Sequence, residues 1–341
     1  MIYTQPILTI VIPCFNEEEV LPETTKQLSN VLDNLINDQL IDSESKLLFV
    51  DDGSEDQTWS FIAKESVKNK YVKGIKLARN VGHQKALLAG LEIAKEKSDC
   101  VISIDADLQD DISVIREFIK KYIEGYDIVY GVRSSRKKDT FFKRTTAQGF
   151  YKLMNKLGIH LVYNHADYRL MSKRALEELS RFKEANLFLR GIVPMIGFRS
   201  TKVYYERKER HAGETKYPLK KMLSFAFDGI TSFSVAPIRL LTMIGFLLFF
   251  IGGIAGSYAL YQKWFGHTNS GWTSLMISIW LLGGLQIIGI GVIGEYIGKI
   301  YEEVKGRPKY AIDIDLYSDS ILSLNNENKR NKEQLMVRGN K

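Results

Sequence analysis

The sequence predicts an α/β protein: a Rossmann-like, mostly parallel sheet, followed by an interfacial amphipathic helix and a two-helix transmembrane hairpin. Three observations predict it. Short β-branched apolar runs alternate with helical periodicity through the first two thirds of the 341 residues, the pattern of a doubly wound sheet. Each run stops at polar or acidic residues, as strands do when a site lies beyond their carboxyl ends. Two runs without a charged residue, Leu240 to Gln262 and Thr273 to Gly294, then fill much of the last third, and each is long enough for a hydrocarbon layer of ~30 Å.

Taken in order, Ile7 to Cys14 reads as the first strand and breaks at Asn16-Glu17, before a helix from Val20 to Leu35. Leu47 to Val50 is the second strand and ends in Asp51-Asp52-Gly53-Ser54. Val72 to Leu77 is the third, followed by Arg79-Asn80-Val81-Gly82-His83 and a helix through Ala86, Leu87, Gly90, Leu91 and Ala94. Val101 to Ile104 and Ile128 to Val132 are the fourth and fifth. A basic loop from Arg133 to Arg144 leads into a helix around Thr146 to Leu157, and the stretch from His165 to Leu170 precedes another helix. Val203 to Glu206 reads as a late strand, before a Gly213-containing loop from Arg210 to Tyr217.

From Leu219 to Phe233 apolar residues recur at helical spacing opposite Lys220, Lys221, Ser224 and Asp228, as in a helix lying in a membrane interface. The expected organisation is a globular domain over 1–218, this helix over 219–237, spans over 238–263 and 272–297, and a tail over 298–341. The tail's end, rich in Asn, Lys and Glu, is expected to be disordered. Lys220, Lys221 and Arg239 precede the hairpin, and Lys299, Lys305, Arg307 and Lys309 follow it, whereas the loop between the spans holds only Lys263 and His267. The positive-inside rule puts both ends in the cytoplasm. No secretory signal opens the chain, which agrees with a cytoplasmic globular domain on the plasma membrane.

The net charge of +7 gathers beside the apolar runs and in one loop, which favours anionic lipid or phosphate as partner over nucleic acid. Cys14 and Cys100 both fall in strands and form neither a metal pattern nor a disulfide framework. Gly289-Ile-Gly291-Val-Ile-Gly294 follows no strand, so it reads as close helix packing and not as a dinucleotide loop. Gly252 and Gly256 likewise have a spacing that lets transmembrane helices approach, within the hairpin or between subunits, which allows a homo-oligomer, dimer or tetramer.

The chemistry centres on Asp105-Ala-Asp107-Leu-Gln109-Asp110-Asp111 at the end of the fourth strand. Two carboxylates and an amide oxygen are hard donors that suit Mg²⁺ or Mn²⁺ shared with phosphate; the alternative is a solvated turn before a helix. An EF-hand is excluded, because Asp110 stands where glycine is needed and Arg116 where glutamate is needed. Asp110 and Asp111 are expected only as favourable charges at a helix N-terminus. Asp51 is expected to cap its turn and Asp52 to face the ligand. For His83 and Lys85, a donor-facing role and simple solvation of a helix N-terminus are both open. Asp167 is either a base or sugar ligand, or a carboxylate paired with Arg169 or Arg133. No Walker loop is present, which counts against NTP hydrolysis.

Seven motifs in order carry a resemblance. Pro13-Cys-Phe15-Asn16-Glu17, Asp51-Asp52-Gly53-Ser54, Arg79-Asn80-Val-Gly82-His83, Asp105-Ala-Asp107-Leu-Gln109, Gly131-Val-Arg133, Ala166-Asp167-Tyr168-Arg169-Leu170 and Ala212-Gly213-Glu-Thr-Lys216-Tyr217 resemble the motif set of glycosyltransferase family 2. The match is closest to its polyisoprenyl-phosphate branch, relatives of dolichyl-phosphate mannose synthase, and runs from about Ile7 to Lys309. The resemblance implies a GT-A fold and metal-dependent, inverting transfer of a hexose from a UDP-sugar to undecaprenyl phosphate, with glucose or N-acetylglucosamine as the sugar. The product would serve cell-wall or surface-polysaccharide modification. It further implies that Pro13, Phe15, Glu17 and Asp52 hold the uridine, with Phe15 replacing the commoner Tyr. Asp105 would take the ribose or metal, and Asp107 with Gln109 the metal. Arg133, Arg136 and Arg144 would receive the acceptor phosphate, while Arg210 and Lys216 close over the donor diphosphate.

A lipid phosphate has a second pKa near about 6 and is mostly dianionic at neutral pH. It can therefore attack without a general base, and arginines would position it. A processive polysaccharide synthase is the alternative enzyme, but the Gln-x-x-Arg-Trp segment usual there is absent. A non-catalytic nucleotide-binding scaffold is the other alternative, and an intact Asp105-x-Asp107-x-Gln109 counts against it.

Overall fold

The computed structural model describes residues 5–134, 165–184, 188–206, 236–265 and 271–318. The expected helices near residues 146–157 and 219–233 lie outside these, as do Arg136 and Arg144 in one loop and Arg210 and Lys216 in another. The chain divides into two compact units: Met1–Ala147, Leu161–Lys216 and Pro308–Lys341 form one, and Gln148–His160 with Tyr217–Arg307 the other.

The first unit is an eight-stranded sheet in the order β7-β5-β6-β4-β1-β2-β3-β8. Its strands are β1 (Leu8–Cys14), β2 (Lys46–Asp51), β3 (Val72–Leu77), β4 (Cys100–Ser103), β5 (Ile128–Arg133), β6 (His165–Ser172), β7 (Ser200–Tyr205) and β8 (Ile312–Asp315). The block β3-β2-β1-β4 is parallel throughout, as the alternation of strands and helices predicts. All seven residues of β1 are buried, as in a strand covered on both faces.

Helices α1 (Leu21–Asn37), α2 (Thr58–Lys68), α3 (His83–Ala94) and α4 (Ile115–Ile123) cover the sheet. Helix α1 inserts Leu21, Leu28, Leu32 and Leu35 among Leu8, Ile10 and Ile12, a spacing that places them on one helical face. On the opposite face α3 approaches β1 and β2 through Gly90: a Cβ there would stand 2.4 Å from Val11 Cγ1 and 2.7 Å from Val50 Cγ2. Gly90→Val is therefore expected to overpack this contact and cost about 1–3 kcal/mol, read as a lowered urea midpoint. An unchanged midpoint would contradict the close packing.

Two strands depart from the expectation. The segment expected only to precede a helix is itself β6, paired antiparallel to both β4 and β5, with α5 (Lys173–Leu179) after it. Its His165, Asp167 and Arg169 alternate with apolar residues. That pattern reads as polar surface, yet Asp167 and Arg169 are buried and neutralise one another. Running antiparallel, β6 brings its first residues to the carboxyl ends of β4 and β5. The second departure is β8, from the stretch expected as tail. It pairs antiparallel with the edge strand β3, and Tyr317 beyond it is buried with its hydroxyl 2.9 Å from Thr9 Oγ1.

The second unit contains α7 (Ala236–Trp264) and α8 (Trp272–Lys305). Helix α8 continues past the expected span end at 297 and stops at Gly306, left-handed at φ 55°, a conformation that glycine adopts without a Cβ penalty. Among the described residues, Gly289 packs its missing Cβ position 3.1 Å from Leu241 Cδ2, and Gly291 and Gly294 meet nothing within 4 Å. Among the described residues no helix is long and apolar enough to cross a membrane; they do not by themselves show the two expected spans.

Candidate active site

The site is built where the parallel strands end. At β1 and β2, side chains zip two loops together through backbone N–H groups. Asn16 N–H donates to Ser54 Oγ at 3.0 Å, Glu55 N–H to Asn16 Oδ1 at 2.9 Å, and Glu17 N–H to Thr58 Oγ1 at 2.9 Å. Pro13 is buried inside β1, and Phe15 is the first large apolar side chain to emerge beyond it. Gly53, at φ 69°, lets the turn touch the chain after β3: a Cβ would lie 2.7 Å from Asn80 N.

The expectation that Asp52 faces a ligand is corrected. Asp52 is buried, with Oδ1 accepting from Val81 N–H at 2.8 Å and Oδ2 from Gly82 N–H at 2.9 Å. It fixes the loop after β3 from beneath. Asp51 does accept from Ser54 N–H in its turn, at 3.3 Å, and burial raises its carboxyl above the ordinary value. Lys85 is half-buried in the first turn of α3.

Beyond β4 the chain makes a tight turn. Leu108 is buried and left-handed, at φ 54°, a costly backbone for a residue other than glycine, of the sort that concentrates at functional sites. Asp107 Oδ1 accepts from Gln109 N–H at 3.2 Å. Burial raises the Asp105 carboxyl; His83 opposes this, and Asp110, Asp167 and Asp107 reinforce it, so that Asp105 is pushed up to about 6.

Asp110 departs from its expected role as a helix-terminal charge: it is buried and accepts from Tyr205 O–H at 2.5 Å, with Arg133 Nη2 3.5 Å away. Asp111 does act as expected, accepting from Ser113 N–H at 3.2 Å.

Of the alternatives for Asp167, pairing with Arg169 is the one observed. Arg169 Nη2 donates to Asp167 Oδ1 at 2.7 Å, and Arg190, on α6 (Leu189–Met195), reaches Oδ2 with Nη2 at 3.0 Å. Gln84 Nε2 adds a contact of 3.3 Å to Oδ2. Burial would raise this carboxyl, but Arg190 and Arg169 overcome it and hold it far below the ordinary range. Asp167 is thus a fixed anion and a poor proton acceptor at neutral pH. His83 Nε2 stands between two carboxylates, 3.5 Å from Asp105 and 3.9 Å from Asp167.

Among the described residues no cluster of three or more His, Cys, Asp or Glu side chains is arranged to hold a metal ion by itself. The donor set at the turn still fits a hard divalent cation. Mg²⁺ characteristically takes one or two carboxylates and completes its shell with water and substrate phosphate, and Asp105, Asp107 and the Gln109 amide are the residues at this turn that would supply that share.

Residues 9–180 match glycosyltransferase family 2, and residues 236–300 match the GtrB C-terminal hairpin. The chain belongs to glycosyltransferase family 2. Its sheet and strand-end site are accordingly those of a GT-A fold. Among its relatives is the Uncharacterized glycosyltransferase YkoT of Bacillus subtilis, 70% identical over 97% of this chain and 98% of that one. Another is the SfII prophage-derived bactoprenol glucosyl transferase of Shigella flexneri, 42% identical over 89% of this chain and 97% of that one. The crystal structure of mannosyl-3-phosphoglycerate synthase from Rubrobacter xylanophilus aligns at 17% identity and a TM-score of 0.45, covering 70% of this glycosyltransferase and 75% of that chain.

In this family 2 glycosyltransferase the strand ends bring together Asp105, Asp107, Gln109, Arg133 and Asp167 from the expected site residues. Pro13 and Asp52 are withdrawn into the structure, and Arg136, Arg144, Arg210 and Lys216 fall outside the described residues. Sequence reasoning did not find Arg190, Gln84, Asp110 or Tyr205 as site residues. Asp110 carried a signal, sitting within one acidic run; the other three become visible only through contacts made across the fold.

Proposed function

We propose that this glycosyltransferase moves a hexose, with glucose first among candidates, from a UDP-sugar to undecaprenyl phosphate at the cytoplasmic membrane face, with inversion, for cell-wall or surface-polysaccharide modification. The observation that carries the reading is the 42% identity across nearly the full length of a protein named bactoprenol glucosyl transferase, joined to a strand-end site that sets an Asp-rich turn near arginines.

The residues suggest how such a transfer would run. A divalent cation held by Asp105, Asp107 and Gln109 would offset charge on the leaving diphosphate. Arg133, part-buried and oriented by Asp110 and Tyr205, is suited to holding the acceptor phosphate in line with the anomeric carbon. No general base is needed, because the phosphate arrives ionised, and the depressed pKa of Asp167 agrees with that economy. Attack opposite the leaving group inverts the anomeric centre.

The membrane part of the reading is supported by the uncharged runs within α7 and α8 and by the match to a C-terminal hairpin. Large apolar side chains also face outward there, among them Met243, Phe246, Phe250 and Ile254. Basic residues at both ends of the pair favour a cytoplasmic catalytic domain.

The deciding experiment offers the purified full chain a panel of UDP-sugars with undecaprenyl phosphate and Mg²⁺ or Mn²⁺, and weighs the lipid product. A single hexosyl-phosphate lipid, lost on chelation, is expected. A lengthening polymer would favour a processive synthase, and UDP binding without turnover a scaffold.

A further inference from the structure

We propose that Tyr205 is a positioning residue for the acceptor: its hydroxyl, anchored on Asp110 at the end of the Asp-rich turn, aims Arg133 at the lipid phosphate. The inference rests on the proposed reading, in which Arg133 holds that phosphate, and adds a residue that acts through Arg133.

Register and space bring the hydroxyl to this place. Tyr205 ends β7 opposite Arg133, the last residue of the parallel strand β5, so both side chains leave the same end of the sheet. The Tyr205 carbonyl oxygen accepts from Ser134 N–H at 2.8 Å and from Ser134 O–H at 3.0 Å, which pins its backbone. Its ring meets Tyr168 edge-on, with centroids 5.5 Å apart and planes at 82°. Both rings lie beside Gly131 of β5, where a Cβ would stand 3.0 Å from Tyr168 Cδ1 and 3.2 Å from Tyr205 Cε1. Glycine at that position leaves room for the pair, a use that strand formation alone does not explain.

The hydroxyl joins two strand ends. Its O–H donates to Asp110 Oδ1 at 2.5 Å, and its oxygen accepts from Arg133 Nε–H at 3.4 Å. Arg133 Nη2 reaches the same Asp110 oxygen at 3.5 Å. Both contacts lie on the Nε–Nη2 edge, so they aim the guanidinium and engage only part of its N–H donors. Asp110 follows Gln109 directly, and the residue after it is held in the same manner, since Tyr168 O–H donates to the Asp111 carbonyl oxygen at 3.1 Å. Two tyrosine hydroxyls thus fix the exit of the turn, and that of Tyr205 also reaches an arginine. Packing alone would be served by phenylalanine, because a buried hydroxyl is costly unless it is hydrogen-bonded.

The test compares the full-length chain in detergent as wild type, Tyr205→Phe, Arg133→Lys and the double variant. Tyr205→Phe keeps the ring against Tyr168 and removes only the hydroxyl. Its KM for undecaprenyl phosphate is expected to rise about 10-fold, the size of effect of one lost hydrogen bond to a charged group, while the calorimetric Kd for UDP without metal stays that of wild type. Because the hydroxyl acts through Arg133, adding Tyr205→Phe to Arg133→Lys should raise that KM no further. An unchanged undecaprenyl phosphate KM in Tyr205→Phe overturns the proposal. So does a parallel rise in the UDP Kd, which marks general loosening of the site, or a full second increment in the double variant. Asp110→Asn, which weakens the same anchor, replaces Tyr205→Phe with the same expectations if the phenylalanine variant does not fold. A wild-type chain that neither binds UDP nor turns over any UDP-sugar strikes the functional reading instead, and does so before any variant is made.

Discussion

Asp107→Ala is expected to lower hexosyl transfer about 10²–10³-fold, the size of effect seen when a group stabilising leaving-group charge is removed. Asp107 stands in a turn whose left-handed Leu108 and Gln109 N–H contact present its carboxylate beside Asp105. The melting temperature should stay near wild type while the response of turnover to added Mn²⁺ disappears. Asp111→Ala is the matched control. Asp111 caps the short turn at Ile112–Val114 through Ser113 N–H, so its loss should cost about 1 kcal/mol of stability and leave transfer intact. Wild-type turnover by Asp107→Ala would remove the cation reading of the turn.

The second large effect is on stability. Asp167→Ala leaves the Arg169 guanidinium charged, 2% exposed and without its carboxylate, and breaking a buried pair from one side costs about 3–5 kcal/mol. Replacing both partners, Asp167→Leu with Arg169→Met, is expected to restore much of that stability, because no buried charge is stranded. The pH dependence follows from the depressed carboxyl of Asp167. A group of this kind contributes fully above its unfolded pKa of about 3.9, and the contribution fades as pH falls from there toward the folded value. Urea titrations at neutral pH and below about pH 4 should therefore show a steeper acid loss in the wild type than in the double variant. Equal acid sensitivity would mean that the pair does not carry this linkage.

Much of the fold was legible because its signals are local. The strand Val72–Leu77 has the bounds its apolar run predicts, and β1, β2, β4 and β5 differ from expectation by one residue at one or both ends. The parallel order follows from helices placed between those strands. By contrast, β6 hid its register because Asp167 and Arg169, charged and alternating, look like a solvent face until each is seen to neutralise the other inside the sheet. β8 is a four-residue edge strand, Ile-Asp-Ile-Asp, too short to announce itself, and the open edge of β3 decides it. The site divides the same way. Asp105, Asp107 and Gln109 are contiguous and could be read as a donor set, whereas Arg190 meets Asp167 across 23 positions and Tyr205 meets Asp110 across 95.

The sequence by itself determined the α/β class, the strand ends on which the chemistry sits, the two uncharged runs and the family, since each is written in neighbouring residues. Only the tertiary structure decided which carboxylates are held by donors from distant parts of the chain. Asp52 is tied down by the N–H groups of Val81 and Gly82, Asp110 is held by Tyr205 and faces Arg133, and Asp167 is clamped by Arg169 and Arg190. The charge state and direction of a carboxylate depend on donors that arrive from distant parts of the chain, and no local pattern records their arrival.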